Sequence, residues 1–194
     1  MVKLGFHVSI AGSLDLAVER AAALSCDTFQ MFTRSPRVWA AKPISDGAAI
    51  AFRKALERFG IGPAVDHMPY LPNPAAEKPD IYAKSIFTLT EELNRCHQLG
   101  IPYLVTHLGH HGKEDGHKKG QEKVIAAIGQ ALDDSEGDTM ILLENTENEK
   151  WLKKSGKKGF TIVELMIVVV VLAILISFSV VSMVSVNRRK ATKV

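Results

Sequence analysis

Ile101-Pro-Tyr-Leu-Val-Thr-His-Leu-Gly-His-His-Gly112 is the stretch from which the fold is read. Tyr103 to Val105 reads as a short buried strand, the apolar run ends at His107, and a Gly- and His-rich turn follows at once. An imidazole therefore stands at the carboxyl end of a strand. In α/β folds with parallel strands this end carries the functional site, because the βα loops converge there. The pattern recurs at Ala64-Val-Asp-His67 and at Met140-Ile-Leu-Leu-Glu-Asn145. Three strands thus deliver two imidazoles and a carboxylate to the same side.

Outward from that stretch, strands and helices alternate. Leu4 to Ser9 reads as a first strand, and a helix with Leu16, Ala17, Arg20, Ala21 and Leu24 at helical spacing follows. Thr28 to Thr33 is a second strand with Arg34-Ser-Pro-Arg37 as its exit. A helix from Asp46 to Phe59 stops at Gly60 and Gly62. Beyond His67, Pro69, Pro72 and Pro74 hold a loop extended. Asp80 is the expected cap of a long helix with an apolar stripe of Ile86, Leu89, Leu93 and Cys96, ending at Gly100. A helix over about 120–132 precedes the Met140 strand. The expected fold is α/β with five strands and four helices. Such alternation gives right-handed βαβ units on a parallel sheet, doubly wound or closed. Ligand-type residues leaving three different strands favour a barrel, here a partial TIM (β/α) barrel whose fifth strand is an exposed edge.

Composition divides the chain. Residues 1–150 hold 16 Lys and Arg against 20 Asp and Glu, whereas residues 151–194 hold 8 against 1. The basic balance of the whole belongs to its tail and does not make the first module a basic nucleic-acid binder. Cys26 and Cys96 are isolated, one in each of two helical patterns, and read as buried reduced thiols. Residues 151–159 form a basic linker. From Leu165 to Val186 there are 22 residues without a charge, enough for a helix of roughly 33 Å and so for a single transmembrane helix, placed at 160–187. Residues 188–194 form a basic tail. Four Lys precede the span and four Lys or Arg follow it, so charge does not orient it.

His67, His107 and Glu144 make the donor set of zinc or a similar divalent metal, three protein ligands leaving one position open. An ion so held activates water near neutral pH for attack on an ester or phosphodiester. His7, leaving the first strand, is either a ligand, a group supporting the ligands from behind, or hydrogen-bonded scaffold. His110, His111 and His117 share one polar loop and read as solvated.

His7-Val-Ser-Ile-Ala-Gly12, Phe29-Gln-Met-Phe-Thr-Arg34 with Arg37 and Trp39, His67-Met-Pro-Tyr-Leu71, Thr106-His-Leu-Gly109 and Leu143-Glu-Asn-Thr146 resemble the endonuclease IV family, in its order and at about its spacing. The resemblance covers residues 1–146. It implies a TIM barrel that cleaves DNA 5′ to abasic sites with up to three zinc ions. His67, His107 and Glu144 match ligands of one zinc, with Glu144, also the catalytic carboxylate, bridging to a second. Arg37 and Tyr70 match positions set against DNA at the lesion. The family's later ligands have no counterpart, so at most one metal site keeps its expected ligands. The expectation is a truncated module, weak or inactive by itself. A sugar-isomerase-like barrel shares the architecture and a metal, and Arg37, Trp39 and Tyr70 argue against it.

Lys157-Lys-Gly-Phe-Thr-Ile-Val-Glu-Leu-Met-Ile167 resembles the processing site of type IV prepilins and pseudopilins, over about 153–190. That resemblance implies cleavage after Gly159 by a prepilin peptidase, methylation of the Phe160 amine, and pairing of Glu164 with a neighbouring pilin subunit. An unpaired carboxylate in an apolar span costs a few kcal/mol. Residues 1–159 would then be cytoplasmic and 160–187 would lie in the inner membrane. A leader of 159 residues departs from the family's short one. The expected whole is a fusion of the two segments, biological or the product of a frameshift, deletion or assembly error. On the alternative reading, the pilin-like membrane peptide is the product and the first module a degenerate leader.

Overall fold

The computed structural model describes residues 2–144. They lie in the first of two compact units, 1–146 and 147–194. The linker, Gly159, Phe160, Glu164, the span expected over 160–187 and the basic tail lie outside the described residues. Among the described residues no helix is long and apolar enough to cross a membrane.

In the described residues four helices and four strands alternate: α1 (Leu14–Ala23), β1 (Phe29–Met31), α2 (Asp46–Phe59), β2 (Ala64–His67), α3 (Pro79–Leu99), β3 (Tyr103–His107), α4 (Gly116–Asp133) and β4 (Met140–Glu144). The strands form one sheet in the order β1-β2-β3-β4, every pair parallel. Sequential order with parallel pairing is the pattern of a barrel wall, as expected for a partial TIM barrel.

Local chemistry sets the boundaries. The Ser45 hydroxyl accepts from the Ala48 N–H at 3.2 Å and opens α2, and Gly60, at φ +63°, closes it. Pro79 stands in the first turn of α3, where its missing N–H costs nothing, and Gly100 ends that helix in the left-handed region. The expected cap, Asp80, lies one residue inside that start, and the N-cap is Lys78, which makes no side-chain cap. Cys26 falls beyond α1 instead of in a helix; both cysteines are buried and free.

Phe29, Met31 and Leu104 from the sheet meet Phe52 from α2 and Leu89, Leu93 and Leu99 from α3, all of them nearly or fully buried. The rings of Phe29 and Phe52 meet edge to face, centroids 6.5 Å apart. Burying each such side chain contributes about 1.5–3 kcal/mol.

The expected first strand, Leu4 to Ser9, is reduced to one parallel bridge between His7 and Gln30. Its backbone follows β1, with Gln30 N–H donating to Phe6 O at 3.0 Å and Val8 N–H to Gln30 O at 2.8 Å, but Val2, Leu4 and Phe6 stay exposed. β1 is likewise shorter than Thr28 to Thr33, because the Thr33 carbonyl accepts from the Arg95 guanidinium and leaves the sheet. β3 is only half covered, with Leu104 and Thr106 buried and its other residues part-exposed. Among the described residues β4 ends the sheet as an exposed edge, with Met140 59% and Leu143 57% accessible.

Candidate metal centre

β2, β3 and β4 each place their last residue, His67, His107 and Glu144, at the same end of the sheet. His107 and Glu144 are register partners, and His67 pairs with Val105, two residues before His107. The three donor atoms lie within 4.8 Å of one another. His67 Nε2 is 3.1 Å and His107 Nδ1 3.7 Å from the same carboxylate oxygen, Glu144 Oε2. Ligands sharing one zinc at about 2.0–2.1 Å stand about 3.4 Å apart in a tetrahedron, so these spacings suit a single ion.

Tautomer chemistry supports the fit. His67 Nδ1 lies 2.7 Å from the Met68 carbonyl and must donate to it, since a carbonyl only accepts. Nε2 of the neutral ring is then a lone pair facing a carboxylate oxygen. Two acceptors at hydrogen-bond distance require a proton or a cation between them. His107 Nδ1 is buried and has no hydrogen-bond partner among the described residues. Two ring nitrogens and a carboxylate converging in this way fit a divalent metal.

His7 stands beside this group without joining it. Its Nδ1 donates to Gln30 Oε1 at 2.9 Å, and its ring lies 4.5 Å from Phe32 and 6.3 Å from His67. Tyr70, 61% accessible, packs edge-on to Phe32 at 5.3 Å and to His67 at 6.3 Å. Arg37 is exposed on the loop after β1. The Tyr70 N–H donates to Pro36 O at 3.1 Å, which ties the loops carrying Tyr70 and Arg37 together. His110, His111 and His117 lie apart from the ligands. His111 and His117 line an open, mostly apolar cavity of about 510 Å³ with Leu108, Val124, Ile125 and Leu143.

Sequence reasoning missed the residues that hold the ligand loops. Asn73 Oδ1 accepts from the N–H groups of Ala75 and His110, both at 3.1 Å, and Nδ2 donates to His110 O at 2.9 Å. It thereby braces the loop after His67 against the loop after His107. Gly109, at φ +74°, allows this close approach, since a Cβ there would lie 2.0 Å from Asn73 Oδ1. Glu77 repeats the brace by accepting from the N–H of Asp115 at 3.0 Å. The available signal was an Asn between Pro72 and Pro74, positioned for an Asx turn. Behind His67, Asp66 points to the helix layer, where Cys96 Sγ donates to it at 3.4 Å. Burial, then the neighbouring Glu92 charge, raises the Asp66 carboxyl well above its usual range.

The Xylose isomerase-like TIM barrel family matches residues 18–166, most of the chain. The chain belongs to the xylose isomerase-like TIM barrel family. It has endonuclease 4 homologues: it is 81% identical over 150 residues to the probable endonuclease 4 of Methanocorpusculum labreanum, a match covering 77% of this chain and 53% of that protein. The crystal structure of endonuclease IV from Thermus thermophilus superposes with a TM-score of 0.64 at 36% identity, over 75% of this chain and 52% of that one. A D-tagatose 3-epimerase-like protein, at TM-score 0.56 and 16% identity over 81% of this chain and 62% of its own, shares the fold. The chain spans about half the length of the curated relatives it matches. The Prokaryotic N-terminal methylation motif matches residues 154–180, so both families claim 154–166.

Proposed function

We propose that residues 1–146 form an endonuclease IV-like, zinc-dependent phosphodiesterase module directed to the 5′ side of abasic sites in DNA, and that this chain alone incises weakly or not at all. The observation that carries the reading is the approach of His67 Nε2 to Glu144 Oε2 at 3.1 Å, beside His107 Nδ1, which has no hydrogen-bond partner among the described residues. Zinc, held by His67, His107 and Glu144, would supply Lewis-acid polarisation of a phosphoryl oxygen. Met68 O fixes the His67 tautomer, the aromatic rings of Phe32 and Tyr70 exclude water from one side of His67, and His7 supports that cluster. Arg37 would meet phosphate, and the exposed Tyr70 ring would stack against an unpaired base or sugar at the lesion. Weak incision follows because the family's remaining ligands have no counterpart in 151–194, leaving one of three zinc positions. The test is a zinc titration of the full chain and of its His67→Ala variant, with incision of an abasic duplex followed in parallel. Stoichiometric zinc lost in the variant supports the reading; robust metal-dependent incision overturns the inactivity.

A second reading for the tail is favoured by the methylation-motif match at 154–180. On it, a prepilin peptidase cuts after Gly159, the Phe160 amine is methylated, Glu164 pairs with a pilin subunit, residues 160–187 enter the inner membrane and residues 1–159 stay cytoplasmic. Mass spectrometry of the membrane fraction decides it: a peptide beginning at methylated Phe160 supports processing, and only an intact 194-residue chain rejects it.

A further inference from the structure

Fourteen residues after β1, 32–45, have neither helix nor strand, and Arg37 is carried on them. Loops of this length inside a compact unit need something to fix them. Here it is a set of side chains on one face of α3. Glu92, fully buried, accepts from the Arg34 Nε–H and, at 2.7 Å, from the Thr33 hydroxyl. Glu91 accepts from Arg34 Nη2 at 3.0 Å. Arg95 donates to the Thr33 hydroxyl and to Lys42 O, both at 2.9 Å, and Gln98 donates to Ile44 O at 3.0 Å. Arg34, 2% accessible at its side chain, also donates from Nη1 to Trp39 O at 3.1 Å.

The loop therefore has its free carbonyls at Thr33, Trp39, Lys42 and Ile44 closed by donors of α3 or by Arg34, itself held by α3. A merely structural ion pair would not need four loop carbonyls. Two further contacts tie the loop to Tyr70, the hydrogen bond from its N–H to Pro36 O and the packing of Phe32 against its ring, so the device reaches the exposed aromatic beside His67.

We infer that Glu92 is a positioning residue: through Arg34 and Arg95 it holds the 32–45 loop so that Arg37 and Tyr70 stand on one face beside the His67 site. The assignment of that face to DNA rests on the proposed function; the bracing of the loop does not.

The test uses the full chain with Trp151→Phe, which leaves Trp39 as the single tryptophan. Two readouts report the loop, the Trp39 emission maximum and the rate of tryptic cleavage after Arg37; a third is affinity for a duplex bearing a tetrahydrofuran abasic analogue. Glu92→Gln is expected to red-shift Trp39 and to speed the Arg37 cut by at least about tenfold while far-ultraviolet circular dichroism is retained, and Glu92→Asp to restore most of the protection. Arg95→Lys, which keeps the charge but cannot reach both Thr33 and Lys42, should loosen the loop in the same direction and serves if Glu92→Gln does not fold. Unchanged emission and cleavage in both folded variants would overturn the inference. If the loop loosens and duplex affinity falls with it, the brace and its DNA role both stand; if the loop loosens while the parent chain has no affinity for the duplex, the brace stands and the DNA reading fails.

Discussion

His107 and Glu144 are register partners on adjacent parallel strands, with Nδ1 of one 3.7 Å from Oε2 of the other. A pair set directly across a ladder cannot drift apart without breaking backbone hydrogen bonds, so the candidate ligands are fixed first by the sheet, and the braced loops after β2 and β3 hold them from beyond its end. Loss of an outer partner of a metal ligand lowers affinity about 10–100-fold, so losing a ligand itself, in Glu144→Ala or His107→Ala, should cost at least about a hundredfold in zinc affinity. Competition with a chromophoric chelator measures it. Unchanged affinity in both variants would place the ion elsewhere.

Gly109→Ala should disturb the same centre from a distance. The new Cβ meets Asn73 Oδ1, and φ +74° disfavours a side chain. The expected loss is about 1–3 kcal/mol of stability, together with weaker zinc binding, because Asn73 braces both ligand loops. Urea unfolding and the chelator assay report the two separately. Asn73→Asp in the same assays shows which hydrogen bonds matter, since it keeps the acceptor and removes the donor to His110 O.

Phe52→Ala opens the core where α2 meets β1. Phe52 is fully buried against Phe29, and truncation should cost about 3–5 kcal/mol. Chemical denaturation would show it as a lower midpoint with the zinc stoichiometry of the remaining folded protein unchanged.

Cys96 supplies the pH test. Burial first, then the Asp66 and Glu92 charges, push its thiol above the ordinary value of 9.0. Alkylation of Cys96 in the native chain should therefore stay slow as pH rises from about 7 to about 10, although thiolate normally drives the reaction. The sign for stability follows. Above 9.0 the unfolded chain releases the thiol proton and the folded chain keeps it, so this group's contribution is present below 9.0 and lost as pH rises. Any stability gap between the parent and Cys96→Ala should narrow between about pH 8 and about pH 10. Rapid native labelling, mapped to Cys96 by mass spectrometry, would contradict the burial.

Much of the architecture could be read from pattern alone. α2 spans Asp46 to Phe59 and stops at Gly60, as its spacing and that glycine indicate, and β2 ends at His67 as its apolar run requires. Ligand candidates were legible because each interrupts an apolar strand at its last residue. What stayed hidden was determined by partners distant in sequence. Leu4 to Ser9 has the composition of a strand but makes a single bridge to β1, and β1 is cut short by a guanidinium from a residue 62 positions away. Glu92 falls between Leu89, Leu93 and Cys96 on the buried stripe of α3, where a carboxylate is out of place unless a cation meets it. That mismatch was visible in the helical spacing, but Arg34 as its partner was not.

Among the described residues β4, which carries Glu144, is held by β3 on one side and has most of its side chains exposed. An ion drawn to Glu144, His107 and His67 would staple this last strand across β3 to β2. Ion capture and edge fraying then become opposite directions of one equilibrium. A chelator would act as a local denaturant, accelerating amide exchange in β4 well before the α1–α2 face responds.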